Sequence, residues 1–158
     1  MPNENQDDAF NLGLMNDRLA FRVRRLLTLL GDRVIEAFKP FELRSGSFTT
    51  LALIAANDGC SQIDLAREGG LDPSVLVSIV DELEKRGLAQ RTRSAVDRRR
   101  SSLHITPLGK KMMQEMFVVA TKTENAVRDV FSAKEMADFV CYLDRAHDAL
   151  ANGHQSTS

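Results

Sequence analysis

Leu71-Asp72-Pro73-Ser74-Val75-Leu76-Val77-Ser78-Ile79-Val80-Asp81-Glu82-Leu83-Glu84-Lys85-Arg86-Gly87-Leu88 is the stretch from which the fold follows. Asp72 followed by Pro73 is a helix start: a carboxylate accepts a free N–H, and Pro supplies a preset φ at the first helical position. Val75 or Leu76, Ile79, Val80 and Leu83 recur in steps of three and four, so one face is buried. Lys85 and Arg86 lie at the negative end of the helix dipole, and Gly87 supplies the C-terminal turn. The first turns leave Pro73, Ser74, Val75, Val77 and Ser78 on a small, weakly charged outer face.

Outward from this helix the punctuation continues. Upstream, Ser61 caps a short helix over Gln62–Glu68 that ends at Gly69-Gly70, and Ser47 is read as the cap of an apolar helix, Phe48–Asn57. Downstream, Leu88–Ser94 and Ser101–Thr106 have strand character, with Leu103 and Ile105 alternating against Ser102, His104 and Thr106. The charged run Ala95-Val96-Asp97-Arg98-Arg99-Arg100 between them reads as a hairpin tip. Three short helices followed by a hairpin make a winged helix-turn-helix.

Long helices flank this lobe. Leu12, Met15, Leu19, Val23, Leu26, Leu30, Val34 and Phe38 share one face of a helix expected to run unbroken to Lys39 and stop at Pro40. Its apolar stripe is wider than one neighbour can cover, which points to packing against a second subunit. Thr106-Pro107 opens another long helix with Met116, Ala120 and Val127 on one face, and Ser132 caps the last. The expected class is therefore mainly α with a small β-hairpin wing. Residues 10–40 and 107–150 form a helical dimerisation region, 41–106 the DNA-binding lobe, and 1–9 and 151–158 a disordered arm and tail.

The 158 residues are 43% hydrophobic and 27% charged, an ordinary globular balance. Cys60 and Cys141 cannot make a disulfide framework, no signal peptide is recognised, and no apolar run could cross a bilayer. A cytoplasmic protein is expected. Net charge is −1, but residues 85–111 carry nine Lys and Arg against Asp97 alone, so this stretch stands at +8 and the remainder at −9. Such a split suits a polyanion-binding element on an acidic body.

Arginines at a thin tip suit a narrow minor groove, where negative potential is concentrated, so Arg98, Arg99 and Arg100 are candidate groove residues. Lys85, Arg91 and Arg93 are candidate phosphate contacts, which position rather than specify. Pro73, Ser74, Val75, Val77 and Ser78 face the major groove, and Ser61 and Gln62 from the preceding helix complete the DNA-facing set.

Several segments together resemble the MarR (multiple antibiotic resistance regulator) family. They are Ser61-Gln62-x-x-Leu65-Ala66, Leu71-Asp72-Pro73-Ser74, Val80-Asp81-Glu82-Leu83-Glu84-Lys85-Arg86-Gly87-Leu88, Asp97-Arg98-Arg99-Arg100 and Ile105-Thr106-Pro107-Leu108-Gly109. The resemblance implies a symmetric dimer built from the first and last two helices, bound to a pseudo-palindromic DNA operator. It implies that Asp97 helps hold the wing while Arg99 enters the minor groove. The family often carries Thr and Arg after the Pro-Ser pair; Val75, Val77 and Ser78 stand here instead, which shifts readout toward thymine methyls and DNA shape.

The resemblance further implies a repressor released by a small molecule, of which a phenolic or other aromatic carboxylic acid is the expected class. Candidate pocket residues are Arg18, Phe21 and Arg22 from the first helix, Phe48 and Leu51 from the second, and Met113 and Phe117 from the fifth. Apolar walls would hold a ring and an arginine its charge. His104 is either a ligand or phosphate contact or an exposed strand histidine. No residues have metal-ligand spacing, no catalytic motif is present, and no cofactor or enzyme activity is expected. Two alternatives stay open: a helical interaction module whose basic hairpin binds an acidic protein, and a redox-sensing repressor using Cys60 or Cys141.

Overall fold

A computed structural model describes residues 10–93 and 101–153. The expected arm, the wing tip 94–100 and the last five residues lie outside the described residues. Six α-helices occur among those described: α1 Leu19–Phe38, α2 Ser47–Ala56, α3 Gln62–Gly69, α4 Pro73–Lys85, α5 Pro107–Arg128 and α6 Ala133–Gly153. Three strands, β1 Cys60–Ser61, β2 Ala89–Arg93 and β3 Ser101–Ile105, form an antiparallel sheet in the order β1-β3-β2. The hairpin is as expected; the third strand is not. It is two residues long, too short to alternate, and pairs Cys60 with Leu103 and Ser61 with Ser102.

The core lies inside the lobe. Leu76, Ile79, Val80 and Leu83 of α4 pack with Leu51 and Ile54 of α2, Leu65 and Ala66 of α3, and Leu88, Ala89 and Leu103 of the sheet. The apolar stripe thus turns inward through Leu76 rather than Val75. Burying side chains of this size contributes roughly 1.5–3 kcal/mol each, which seats α4 firmly and leaves its other face outside.

Of the three helix starts inside the lobe, two behave as read and one does not. Asp72 accepts from the N–H groups of Ser74 (2.8 Å) and Val75 (3.4 Å), and Ser61 accepts from Asp64 N–H (3.2 Å). Ser47, expected to cap α2, instead occupies its first turn, fully buried, and Gly46 is the cap. The reason is steric. Gly46 has φ of +88°, and a Cβ there would sit 2.9 Å from Ile79 Cδ1, so only glycine lets α2 enter this close to α4.

The single long N-terminal helix is also corrected. A 3-10 turn, Gly13–Asp17, precedes α1, and the chain is extended at Arg18. Polar side chains compete with helical bonding here. Asn11 Oδ1 accepts from Gly13 N–H, while Arg22 donates from Nε to the Asn16 carbonyl (2.7 Å) and from Nη2 to Asn16 Oδ1 (3.0 Å). At the other end α6 runs through Ala151, Asn152 and Gly153, which were expected to be disordered. It begins as read, with Ser132 and Glu135 bonded reciprocally. No helix among the described residues is long and apolar enough to cross a membrane.

One junction ties the wing to both neighbouring helices. Thr106 Oγ1 donates to the carbonyls of Gly87 (2.7 Å) and Leu88 (3.2 Å) and accepts from Gly109 N–H (3.0 Å). A Cβ on Gly109 would lie 1.9 Å from the Leu88 carbonyl oxygen. Gly109→Ala must push α5 away from the base of the wing. It is expected to cost the upper part of the roughly 1–3 kcal/mol typical of overpacking, read as a lowered denaturant midpoint.

Candidate nucleic-acid interface

The outer face of α4 stands clear of the core. Pro73, Ser74, Val75, Val77 and Ser78 are exposed, Val75 and Val77 at 45% each, while Leu76, Ile79 and Val80 between and below them are sealed. An exposed pair of valines flanked by hydroxyls offers methyl contacts and single hydrogen bonds, chemistry that fits base edges in a major groove. Lys85 is exposed at the helix end, and Ser61 and Gln62 are half-buried at the start of α3. Asp97, Arg98, Arg99 and Arg100 lie outside the described residues; Arg93 ends β2, the strand leading to them.

Arg91 sits differently from the free phosphate contact expected. Its Nη1 meets Asp81 Oδ1 at 2.6 Å and Glu84 Oε2 at 2.5 Å, and its side chain is 23% exposed. His104 likewise has both ring nitrogens engaged, Nδ1 with Asp58 Oδ1 and Nε2 with Thr92 Oγ1, each at 3.0 Å. It pins the turn before β1 to β2 across the sheet, and does not meet the aromatic residues of the expected pocket. These long-range partners carry no sequence signature, since 46 residues separate Asp58 from His104.

The expected pocket residues fall into separate groups. Phe48 and Phe117 approach with ring centroids 6.5 Å apart, and Phe38, not singled out from sequence, packs on Phe48 at 5.6 Å. Leu51 is fully buried in the lobe core, and Met113 packs partly buried against it. Arg18, Phe21 and Arg22 belong to the other end of α1: sixteen residues of helix put Arg22 about 24 Å from Phe38. Arg22 is bonded to Asn16, and Arg25 stacks over Phe21. Beside Phe38 and Phe48 lies an open cavity of about 480 Å³, also lined by Lys39, Leu43, Arg44 and Leu71. Arg44 Nε is 2.7 Å from Glu82 Oε2 on α4, and Arg86 Nη1 donates to the Glu42 carbonyl at 2.8 Å. The segment that follows α1 is therefore latched to α4 through Glu82 and to Arg86, the residue that ends it.

Cys60 is half-buried, and burial, together with the nearby Asp64 and Asp58 carboxylates, outweighs its own backbone hydrogen bond and pushes the thiol pKa up. That is the opposite of the cationic setting that makes a reactive thiolate.

Three short helices followed by a two-stranded hairpin make a winged-helix lobe. Residues 43–100 match the MarR family model. Among solved structures, the transcriptional repressor CouR bound to a 23-mer DNA duplex is 25% identical, with a TM-score of 0.79 over 88% of this chain and 99% of that one. CouR from Rhodococcus jostii RHA1 bound to p-coumaroyl-CoA is 27% identical, with a TM-score of 0.72 over 83% and 92%. The PcaV regulator from Streptomyces coelicolor with its natural ligand is 24% identical, with a TM-score of 0.72 over 86% and 96%, a likeness of fold.

The α4 cap makes this face acid-sensitive. Hydrogen bonds from the Ser74 hydroxyl and from the Ser74 and Val75 N–H groups hold the Asp72 carboxyl below its usual pKa. A carboxylate lowered on folding stabilises above its unfolded pKa, about 4, and loses that contribution as pH falls through the folded value. Asp72→Ala is therefore expected to lower the melting temperature at neutral pH, and the gap to wild type should close in strongly acidic buffer.

Proposed function

We propose that the protein is a homodimeric repressor that straddles a pseudo-palindromic operator and lets go when an aromatic carboxylic acid binds. The observation that carries the DNA half is the seating of α4, sealed on one side and exposed at Pro73, Ser74, Val75, Val77 and Ser78 on the other. The recognition helix enters the major groove, and Arg99, with Arg98 and Arg100 beside it, reaches the flanking minor groove. Lys85 and Arg93 contact phosphates. Residues 41–106 serve as the DNA-binding lobe, and 10–40 with 107–150 as the dimerisation region.

Support for a second copy comes from the apolar surface left on the terminal helices. Leu19 and Leu27 on α1 and Tyr142, Leu143 and Leu150 on α6 are exposed, Leu19 at 70% and Leu150 at 75%. Side chains of this size along two long helices are a surface to be covered.

The effector reading rests on the cavity beside Phe38 and Phe48. Its size falls in the range of small-molecule sites, its walls are largely apolar, and Arg44 stands at its edge. A ring packs against the two phenylalanines while a carboxylate takes Arg44 from Glu82, loosening the latch on the recognition helix. CouR, with its bound p-coumaroyl-CoA, supports an aromatic acyl group as the recognised portion. Arg44, rather than Arg22, is favoured as the anchor because Arg22 of the same protomer lies a helix length away.

Two measurements test this. In gel shifts, wild type should bind its operator with affinity that falls steeply with salt, and Arg99→Ala should weaken binding by about 1–3 kcal/mol while leaving the dimer intact. Equal binding by the variant removes the wing assignment, and absence of operator preference favours a protein-binding module. In a thermal-shift screen of benzoates and hydroxycinnamates, a stabilising acid should also release DNA from wild type, and Arg44→Ala should lose that response. A full response in Arg44→Ala would place the anchor elsewhere.

A further inference from the structure

We propose that Arg91 and Glu84 form a clamp that fixes the angle between the wing and the recognition helix, so that Arg91 is a positioning residue rather than a phosphate contact. The inference rests on the DNA-binding reading and assigns a different role to one of its basic residues.

Three observations lead to it. The first is topological. In the order β1-β3-β2, strand β2 is an edge: it pairs with β3 on one side only. An edge N–H that faces away from its partner strand needs another acceptor or water. Glu84, on α4, supplies one, its Oε1 accepting from Arg91 N–H at 2.7 Å. The second is that the same carboxylate takes the same residue's side chain, Oε2 to Nη1 at 2.5 Å. Glu84 thus grips both the backbone and the guanidinium of one residue in β2. Asp81, one turn earlier on α4, adds a third bond to Nη1 at 2.6 Å. A strand held at backbone and side chain by one helix residue is restrained in angle as well as distance.

The third observation is the charge count. One guanidinium between two carboxylates leaves the trio at a net −1, and the Arg91 side chain is mostly covered. Such a group does not draw a phosphate. The clamp instead sets the direction in which β2 leaves the end of α4. It also gives a physical reason for the spacing in Leu83-Glu84-Lys85-Arg86-Gly87-Leu88: Glu84 lies in the last turn of α4, and the Gly87 turn, at φ of +69°, returns the chain so that Arg91 comes back alongside it.

The test exploits a sign. Removing a carboxylate near a polyanion strengthens binding if only electrostatics matters, and weakens it if that carboxylate aims the wing. The full-length protein is titrated against a duplex selected by wild type from a randomised pool, across a range of salt. Glu84→Ala is expected to bind about tenfold more weakly, with the slope of log affinity against log salt unchanged, because no phosphate contact has been deleted. Arg91→Ala should lose a similar factor with the same slope, and the double variant should be no worse than either single one, as for two halves of one clamp. Glu84→Gln, run alongside, removes the charge and keeps a neutral acceptor for Arg91 N–H, so it should bind no tighter than wild type. Melting curves establish that each variant is folded at the assay temperature. Tighter binding by Glu84→Ala or Glu84→Gln, or a slope reduced by about one in Arg91→Ala, overturns the clamp. If wild type selects no duplex at all, it is the DNA-binding reading that fails; if it binds and the glutamate variants bind better, only the clamp fails.

Discussion

The structure depends on the close approach of two backbones at the base of the wing. Leu88 leaves α4 through the Gly87 turn, and α5 begins at Thr106-Pro107 directly against it. Thr106 bonds three backbone groups there, and Gly109 leaves no room for a side chain. The junction joins the end of the recognition helix, both long strands and the start of a 22-residue helix at one point. A winged helix needs the hairpin and the recognition helix to keep a fixed relation, because each enters a different groove of the same duplex. Here that relation is set at the base by packing and hydrogen bonds and again, three residues into β2, by the contacts of Arg91 with α4.

This arrangement also suggests why regulation is possible. The lobe has a dense core, whereas α1 has no fully buried residue and the terminal helices leave much of their apolar surface open. The long helices meet the lobe at the α5 junction, at Phe38 and Phe117 against Phe48, at Met112 and Met113 against the lobe core, and at the polar latches from Arg44 and Arg86. Surface ion pairs contribute little stability individually, which makes them suitable joints. A ligand can exchange one of them without unfolding anything.

Much of the lobe was legible in the sequence because its signals are local. Asp72-Pro73, the stripe ending at Leu83 and the Arg86-Gly87 stop act within a few residues of one another, and the hairpin follows from alternation around Leu103 and Ile105. The errors arise where a local signal met a tertiary constraint. Ser47 has the chemistry of a cap, but close packing against Ile79 gives that position to Gly46. The stripe from Leu12 to Phe38 is continuous in pattern, yet Asn11, Asn16 and Arg22 break the helix through side-chain bonds that apolar periodicity cannot register. Strand β1 exists only because β3 comes to it. The candidate effector site was least legible: of the residues read from sequence Phe48 lines the cavity, whereas Phe38 and Arg44 reach it through contacts distant in sequence, and nothing in the spacing separates Arg22 from Arg44 as an anchor.

The charge asymmetry has the same logic at larger scale. A chain at −1 overall holds +8 in one stretch, residues 85–111, and −9 in the remainder, the asymmetry expected of a polyanion-binding element on an acidic body. An acidic remainder would disfavour other orientations on a duplex in the proposed mode of binding. Hydroxyl-radical footprinting of the bound operator tests this account most directly. It predicts two protected backbone stretches on one face of the duplex, with centres about one helical turn apart, and weaker minor-groove protection outside each. A single protected stretch, or uniform protection without phase, would contradict it.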